Sequence, residues 1–67
     1  MTYYETKVVD YQGRQIDAYV DDASTASEAL ELAQRAFRED HPDKDPNSHR
    51  FEARLRAEGA SVTRYGR

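Results

Sequence analysis

The sequence predicts a small α+β domain of order ββαβ, or ββαββ if a short fourth strand forms. One helix would pack on one face of a mainly antiparallel sheet of three to four strands. Two segments rich in β-branched and aromatic residues flank a glycine, a segment with helical spacing follows, and a third segment alternates apolar and charged residues. Because 67 residues cannot fill two cores, residues 1–67 are expected to form one domain.

The first predicted element is a β-hairpin over residues 3–21. A three-residue loop ending at Gly13, in the left-handed bulge position, would pair Val8 with Ile16. A two-residue turn would instead set Val8 opposite Asp17 and mix apolar and charged faces, so we favour the longer loop. The inner face would then consist of Tyr4, Thr6, Val8, Ile16, Ala18 and Val20.

A helix is predicted over residues 25–40. Thr25 and Glu28 form a capping-box motif. The Thr25 hydroxyl oxygen can accept from the Glu28 backbone N–H, and the Glu28 side chain can reach back to the start of the helix. Pro42 disfavours helical geometry in the residue before it, so the helix should end there. Residues 41–49 hold two prolines and several polar side chains, which indicates a loop.

A further strand is predicted over residues 50–57, where apolar and charged residues alternate. Phe51 and Leu55 are also four residues apart, so a short helix is the alternative. The most direct crossover would lay this strand beside the first strand of the hairpin. Residues 60–67 are either a short fourth strand or a tail.

Composition argues against an independent enzyme. The chain has no cysteine, and its two histidines lie in or beside the loop, so no nucleophilic catalytic set is apparent. His41, Asp43, Asp45 and His49 could bind a metal, but their spacing matches neither a calcium loop nor a zinc motif. We therefore expect no catalytic residue, metal or cofactor. With no apolar run long enough for a bilayer and no secretory signal, we expect a cytoplasmic protein without membrane contact.

The leading hypothesis is a small interaction protein that binds a protein partner or forms a homodimer. One sheet face would be left uncovered by the helix, and tyrosines and arginines are frequent anchors of protein contacts. The candidate partner-binding residues are Tyr3, Tyr11, Asp17, Tyr19, Asp21, Asp22, Arg50, Arg54 and Arg56.

Charge is divided unevenly along the chain. The net charge of −3 comprises −6 over residues 1–47 and +3 over residues 48–67. A small interaction protein of this kind is typical of phage or mobile-element accessory proteins. With an acidic surface, such a protein could act as an inhibitor that occupies the basic channel of a nucleic-acid-handling partner. The candidate acidic residues are Asp10, Asp17, Asp21, Asp22, Glu28 and Glu31.

Two alternative functions remain. The tyrosines and arginines of the sheet could bind single-stranded nucleic acid, although the acids on the same face oppose this. The sequence His41-Pro42-Asp43 resembles the loop of J-domain co-chaperones, which implies that these three residues contact an Hsp70 partner. The other interpretation of this tripeptide is a helix stop followed by a turn. J-domains continue with a long helix, which Gly59 would interrupt here.

Overall fold

A computed structural model describes residues 2–56, and its secondary structure follows the predicted ββαβ order. The fold class is confirmed as α+β, with one helix packed against an open three-stranded antiparallel sheet. The predicted fourth strand or tail over 60–67 lies outside the described residues. The elements are β1 (Tyr3–Val9), β2 (Gln15–Asp22), α1 (Ala26–Asp40), a 3₁₀ turn (Pro46–Ser48) and β3 (Arg50–Leu55).

The third segment forms a strand, as its alternation predicted, and not the alternative helix. The strand ends at Leu55, so Arg56 of the predicted range 50–57 lies outside it. The strand order is β2-β1-β3, so β3 lies beside β1 as expected. Phe51 lies opposite Val8, and Ala53 opposite Thr6. These residues share the sheet face covered by α1, because Phe51 packs against the core cluster that contains Val8. J-domains continue with a long helix after this loop. Here β3 follows the loop, and no helix follows it within the described residues, so this feature is not shared.

The hairpin loop is the predicted one, but the predicted strand register is wrong. Asp10 N–H donates to the Arg14 carbonyl at 2.9 Å, and Gly13 has φ +83°. Val9 then pairs with Gln15, whereas Val8 pairs with Asp17, so the register shifts between the two valines. Ile16 is therefore an extra residue on β2, a β-bulge.

Beyond the bulge, each residue of β2 lies on the sheet face opposite to the predicted one. Because side chains alternate, the shift by one residue directs Asp17, Tyr19 and Asp21 towards the helix, where Ala18 and Val20 had been expected. Tyr19 is only 3% exposed and belongs to the core cluster with Val8, Ala33 and Phe37, with Ile16 packed against it. Ala18 and Val20 are also buried, on the opposite face.

The helix begins and ends where the sequence indicates. Thr25 Oγ1 accepts from the Glu28 N–H at 3.1 Å, and Glu28 Oε1 accepts from the Ser24 N–H at 3.2 Å. The first bond satisfies a backbone donor that the first helical turn leaves free, and the second holds Ser24, the residue before the N-cap. The helix buries Ala29, Ala33 and Phe37 against the sheet. No helix within residues 2–56 is long and apolar enough to cross a membrane.

Candidate protein-binding groove at the hairpin turn

The β1–β2 turn is braced by the side chain of Asp10. Its Oδ1 accepts from the backbone N–H groups of Gln12 and Arg14, each at 2.9 Å, and its Oδ2 lies 3.4 Å from Arg14 Nε. The Arg14 backbone N–H and, to a smaller extent, that of Gln12 lower the pKa of Asp10, because they stabilise the ionised carboxylate. Tyr11 projects from this braced turn, with 86% of its surface exposed.

A second braced turn lies across from the hairpin. Asp45 caps the 3₁₀ turn: its Oδ1 accepts from the Asn47 N–H at 2.9 Å. His49 Nδ1 lies 2.9 Å from the Asp45 carbonyl oxygen, and the His49 ring packs 5.2 Å from the Phe37 ring centroid. β3 begins at Arg50, directly after this turn.

An open groove of about 400 Å³ lies between these two turns. At its edge, Arg50 has a side chain that is 70% exposed, and its Nε lies 2.6 Å from Glu52 Oε2. The groove therefore combines an exposed aromatic ring with a guanidinium that remains accessible beside its carboxylate partner. The residues lining the groove are Asp10, Tyr11, Gly13, Asn47, Ser48, His49 and Arg50.

Of the candidate partner-binding residues, Tyr11 and Arg50 are brought together at this groove. They are 39 positions apart in the sequence, and the pairing of β3 with β1 places them at the same end of the sheet. Asp17 and Tyr19 are not on the surface, each being 3% exposed. Their expected position on the sheet face away from the helix was wrong, because the bulge at Ile16 turns them towards the helix.

Asp17 and Tyr19 instead join the sheet to the end of α1. The Tyr19 hydroxyl lies 2.9 Å from Asp17 Oδ2 and 3.0 Å from Asp40 Oδ2. His41 Nε2 lies 2.8 Å from the same Asp17 oxygen, and Asp17 Oδ1 accepts from the Ala18 N–H at 2.8 Å. Burial, followed by the bonds to both carboxylates, raises the pKa of Tyr19. The buried carboxylate is thus compensated by hydrogen bonds.

The remaining candidate residues lie on the sheet away from the groove. Tyr3 is half-buried on β1, opposite the exposed Asp22 of β2. Asp21 is half-buried and lies opposite Tyr4, on the helix-facing side.

The arginines near the end of β3 lie close to an acidic residue of β1. Arg54 lies opposite Glu5, and Arg56 Nη1 is 3.9 Å from Glu5 Oε2. Lys7 lies opposite Glu52 on the same face. This face carries alternating charges, whereas a surface that tracks phosphates needs an excess of cations.

Both histidines of the loop set considered as metal ligands are engaged in the fold. His41 contacts Asp17, and His49 contacts the Asp45 carbonyl. Within the described part of the chain, no group of three or more histidine, aspartate or glutamate side chains is arranged to hold a metal ion.

Sequence reasoning did not identify Asn47, Ser48 or His49 as groove residues, nor Asp40 and His41 as partners of the buried Asp17. The unusual position of Asp17 in a strand next to apolar residues was the available signal for a buried network. The distant residues that complete the network and the groove are recognised only from the packing. Comparisons of the chain with protein-family models, curated proteins and solved structures found no match.

Proposed function

We propose that this protein is a small, non-enzymatic interaction protein that binds a protein partner through the groove at its hairpin turn. The observation that carries this proposal is the position of Tyr11, 86% exposed on a braced turn beside Arg50. Tyrosine and arginine contribute a large share of binding energy in protein interfaces. Because the turn backbone is already braced, binding has to order only the Tyr11 side chain and not the loop that carries it.

The buried network supports a non-enzymatic role. Asp17 and His41 form a pair that could resemble a catalytic acid and base, but Tyr19 is the hydroxyl beside them. Its raised pKa keeps that hydroxyl protonated, which makes it a poor nucleophile. The same atoms join β2 to the end of α1, so a structural role accounts for them.

The charge distribution favours a protein partner over nucleic acid. The cations of the outer sheet face lie opposite acids, which limits their attraction for phosphate. The acidic-inhibitor version of the hypothesis loses Asp17, which is buried. Charge reversal at Asp17 would therefore disturb the fold and would not test an acidic surface.

The test is quantitative affinity capture from an extract of the source cells with the immobilised full chain. We expect one set of proteins to bind wild type and to fall at least about tenfold with Tyr11→Ala or Arg50→Ala, as for interface hot spots. Arg35→Ala, on an exposed helical position, is the matched control and should retain the set. Circular dichroism of each variant checks the fold.

The same captured set with wild type, Tyr11→Ala and Arg50→Ala would reject the groove as the binding site. A mobility shift with single-stranded DNA or RNA that weakens in Arg54→Ala and not in Tyr11→Ala would favour the nucleic-acid alternative instead.

A further inference from the structure

Within residues 2–56, β3 is an edge strand with a regular set of backbone groups on its outer side. Among residues 2–56, β3 pairs only with β1. Arg56 N–H donates to the Tyr3 carbonyl at 2.9 Å, so backbone groups at even positions of this strand point towards β1. By alternation, the N–H and C=O groups of Phe51, Ala53 and Leu55 point away from β1. Such an edge can accept another strand.

We propose that β3 pairs antiparallel with β3 of a second copy of this chain, with the two-fold axis at Ala53. The order of the resulting sheet would be β2-β1-β3-β3-β1-β2. The outward groups of Phe51, Ala53 and Leu55 would then form about six hydrogen bonds, two in each of three residue pairs. The contact is isologous, because each copy presents the same strand to the other.

Charge complementarity selects this register. With Ala53 opposite Ala53, Glu52 of each copy lies opposite Arg54 of the other, on the face away from the helix. Within one copy, Lys7 already lies opposite Glu52, and Glu5 opposite Arg54. Across the two β1 and two β3 strands, each row would therefore read Lys7, Glu52, Arg54 and Glu5, with signs alternating at every step. Opposite charges across a strand pair are favourable and like charges are not.

The helix-facing side supports the same register. Phe51 of each copy would lie opposite Leu55 of the other. Leu55 is 59% exposed in the single chain. Phe51 is half-buried against the core cluster and meets Phe37 edge-on at 5.5 Å. Dimer formation would extend this apolar surface across the axis and cover Leu55.

Neighbouring registers are worse. The outward backbone groups still face one another if one strand shifts by two residues. In one direction this shift places Glu52 opposite Glu52 at the axis, and in the other it places Arg54 opposite Arg54, and both pairs are repulsive. A shift by a single residue sets outward groups against inward ones and breaks the hydrogen-bond ladder. In the proposed register Arg50 lies opposite Arg56 beyond the central pairs, and each of these arginines lies within 3.9 Å of a glutamate of its own chain.

The decisive experiment uses two charge variants, Glu52→Arg and Arg54→Glu, and sedimentation velocity over a concentration series. Wild type should dimerise. Each variant alone puts like charges opposite each other across the axis, so its self-association should weaken at least about tenfold. An equimolar mixture of the two variants restores both attractive pairs, and should form a heterodimer with an affinity near that of wild type.

The mixture also controls for misfolding, because a variant that fails to fold cannot restore association. Tyr11→Ala should leave the dimer unchanged, so the dimer and the groove of the proposed function can fail independently. Wild type that stays monomeric at millimolar concentration would overturn the proposal, as would single variants that associate as strongly as wild type.

A second measurement tests the position of the axis. The chain has no cysteine, so Ala53→Cys introduces a single thiol where the two copies meet. Under a mild oxidant we expect rapid formation of a disulfide-linked dimer, whereas the control Arg35→Cys on the helix should cross-link slowly. Equal cross-linking rates for the two variants would contradict the proposed axis.

Discussion

Tyr19 shows how a single residue can have a role opposite to the one its type indicates. A tyrosine in an amphipathic strand is a reasonable surface anchor, yet its ring is buried and its hydroxyl lies between two carboxylates. The hydroxyl joins Asp17 of β2 to Asp40 at the end of α1. Its removal should therefore affect the stability of the fold more than the binding of a partner.

Tyr19→Phe tests this role through pH. At neutral pH the variant should lose about 1–3 kcal/mol of unfolding free energy, because the buried carboxylate loses a hydrogen bond. The pKa of Tyr19 is raised in the folded state above the value of about 10 in the unfolded chain. The unfolded chain therefore ionises first, and wild-type stability falls as pH rises beyond about 10, a loss that Tyr19→Phe lacks.

Urea unfolding of both proteins between pH 7 and pH 11 measures the difference. The other four tyrosines are common to both chains and cancel in the comparison. A wild-type advantage that stays constant across this range would contradict the assignment of the buried hydroxyl.

At the scale of elements, local sequence determines where α1 starts and which backbone groups are capped there. The capping motif at Thr25 and Glu28 was recognised from spacing alone. The Thr25 hydroxyl accepts from the Glu28 N–H as predicted, whereas the Glu28 carboxylate accepts from the N–H of Ser24, one residue before the N-cap. Such motifs are predictable because all their atoms lie within one helical turn. The strand identity of residues 50–55 was predictable for a similar reason, since alternation is a local pattern.

Thr25→Ala should reduce the unfolding free energy by about 1 kcal/mol, because the Glu28 N–H loses its side-chain acceptor. Ser24→Ala is the matched control: it removes a neighbouring hydroxyl while leaving the Ser24 backbone N–H bonded to Glu28. Urea denaturation of the two variants and wild type measures the effect. Equal losses in both variants would show that the Thr25 cap does not contribute specifically.

Element pairing was less predictable than element identity. The loop ending at Gly13 was anticipated, but the extra residue at Ile16 was not. A bulge changes the register by one residue without changing the composition of the strand, so alternation cannot reveal it. The sequence-based prediction therefore placed Asp17 and Tyr19 on the face away from the helix, whereas the structure places them on the helix-facing side.

The whole molecule depends on a small core centred on Phe37. Its ring is fully buried and lies near those of His41, His49 and Phe51, at centroid distances of 4.7, 5.2 and 5.5 Å. The core therefore also positions both histidine-bearing segments around the end of the helix. In a chain of 67 residues, net stability is expected to be only about 3–5 kcal/mol.

Phe37→Ala should cost about 3–5 kcal/mol, enough to leave much of the chain unfolded at room temperature. Leu55→Ala removes a side chain that is 59% exposed and should cost much less in the monomer. Circular dichroism at a low, fixed protein concentration separates these effects from dimer formation. Retention of a cooperative wild-type-like transition by Phe37→Ala would contradict the central role of this ring.

By itself, the sequence determined the order of the elements, the helix cap, the three-residue loop and the strand over 50–55, because each depends on contacts within a few residues. Only the tertiary structure decided which side chains lie inside. The bulge at Ile16 turned Asp17 and Tyr19 towards the helix, and the pairing of β3 with β1 brought Tyr11 beside Arg50. These outcomes depend on packing between segments distant in the chain, whose energies a local pattern does not contain.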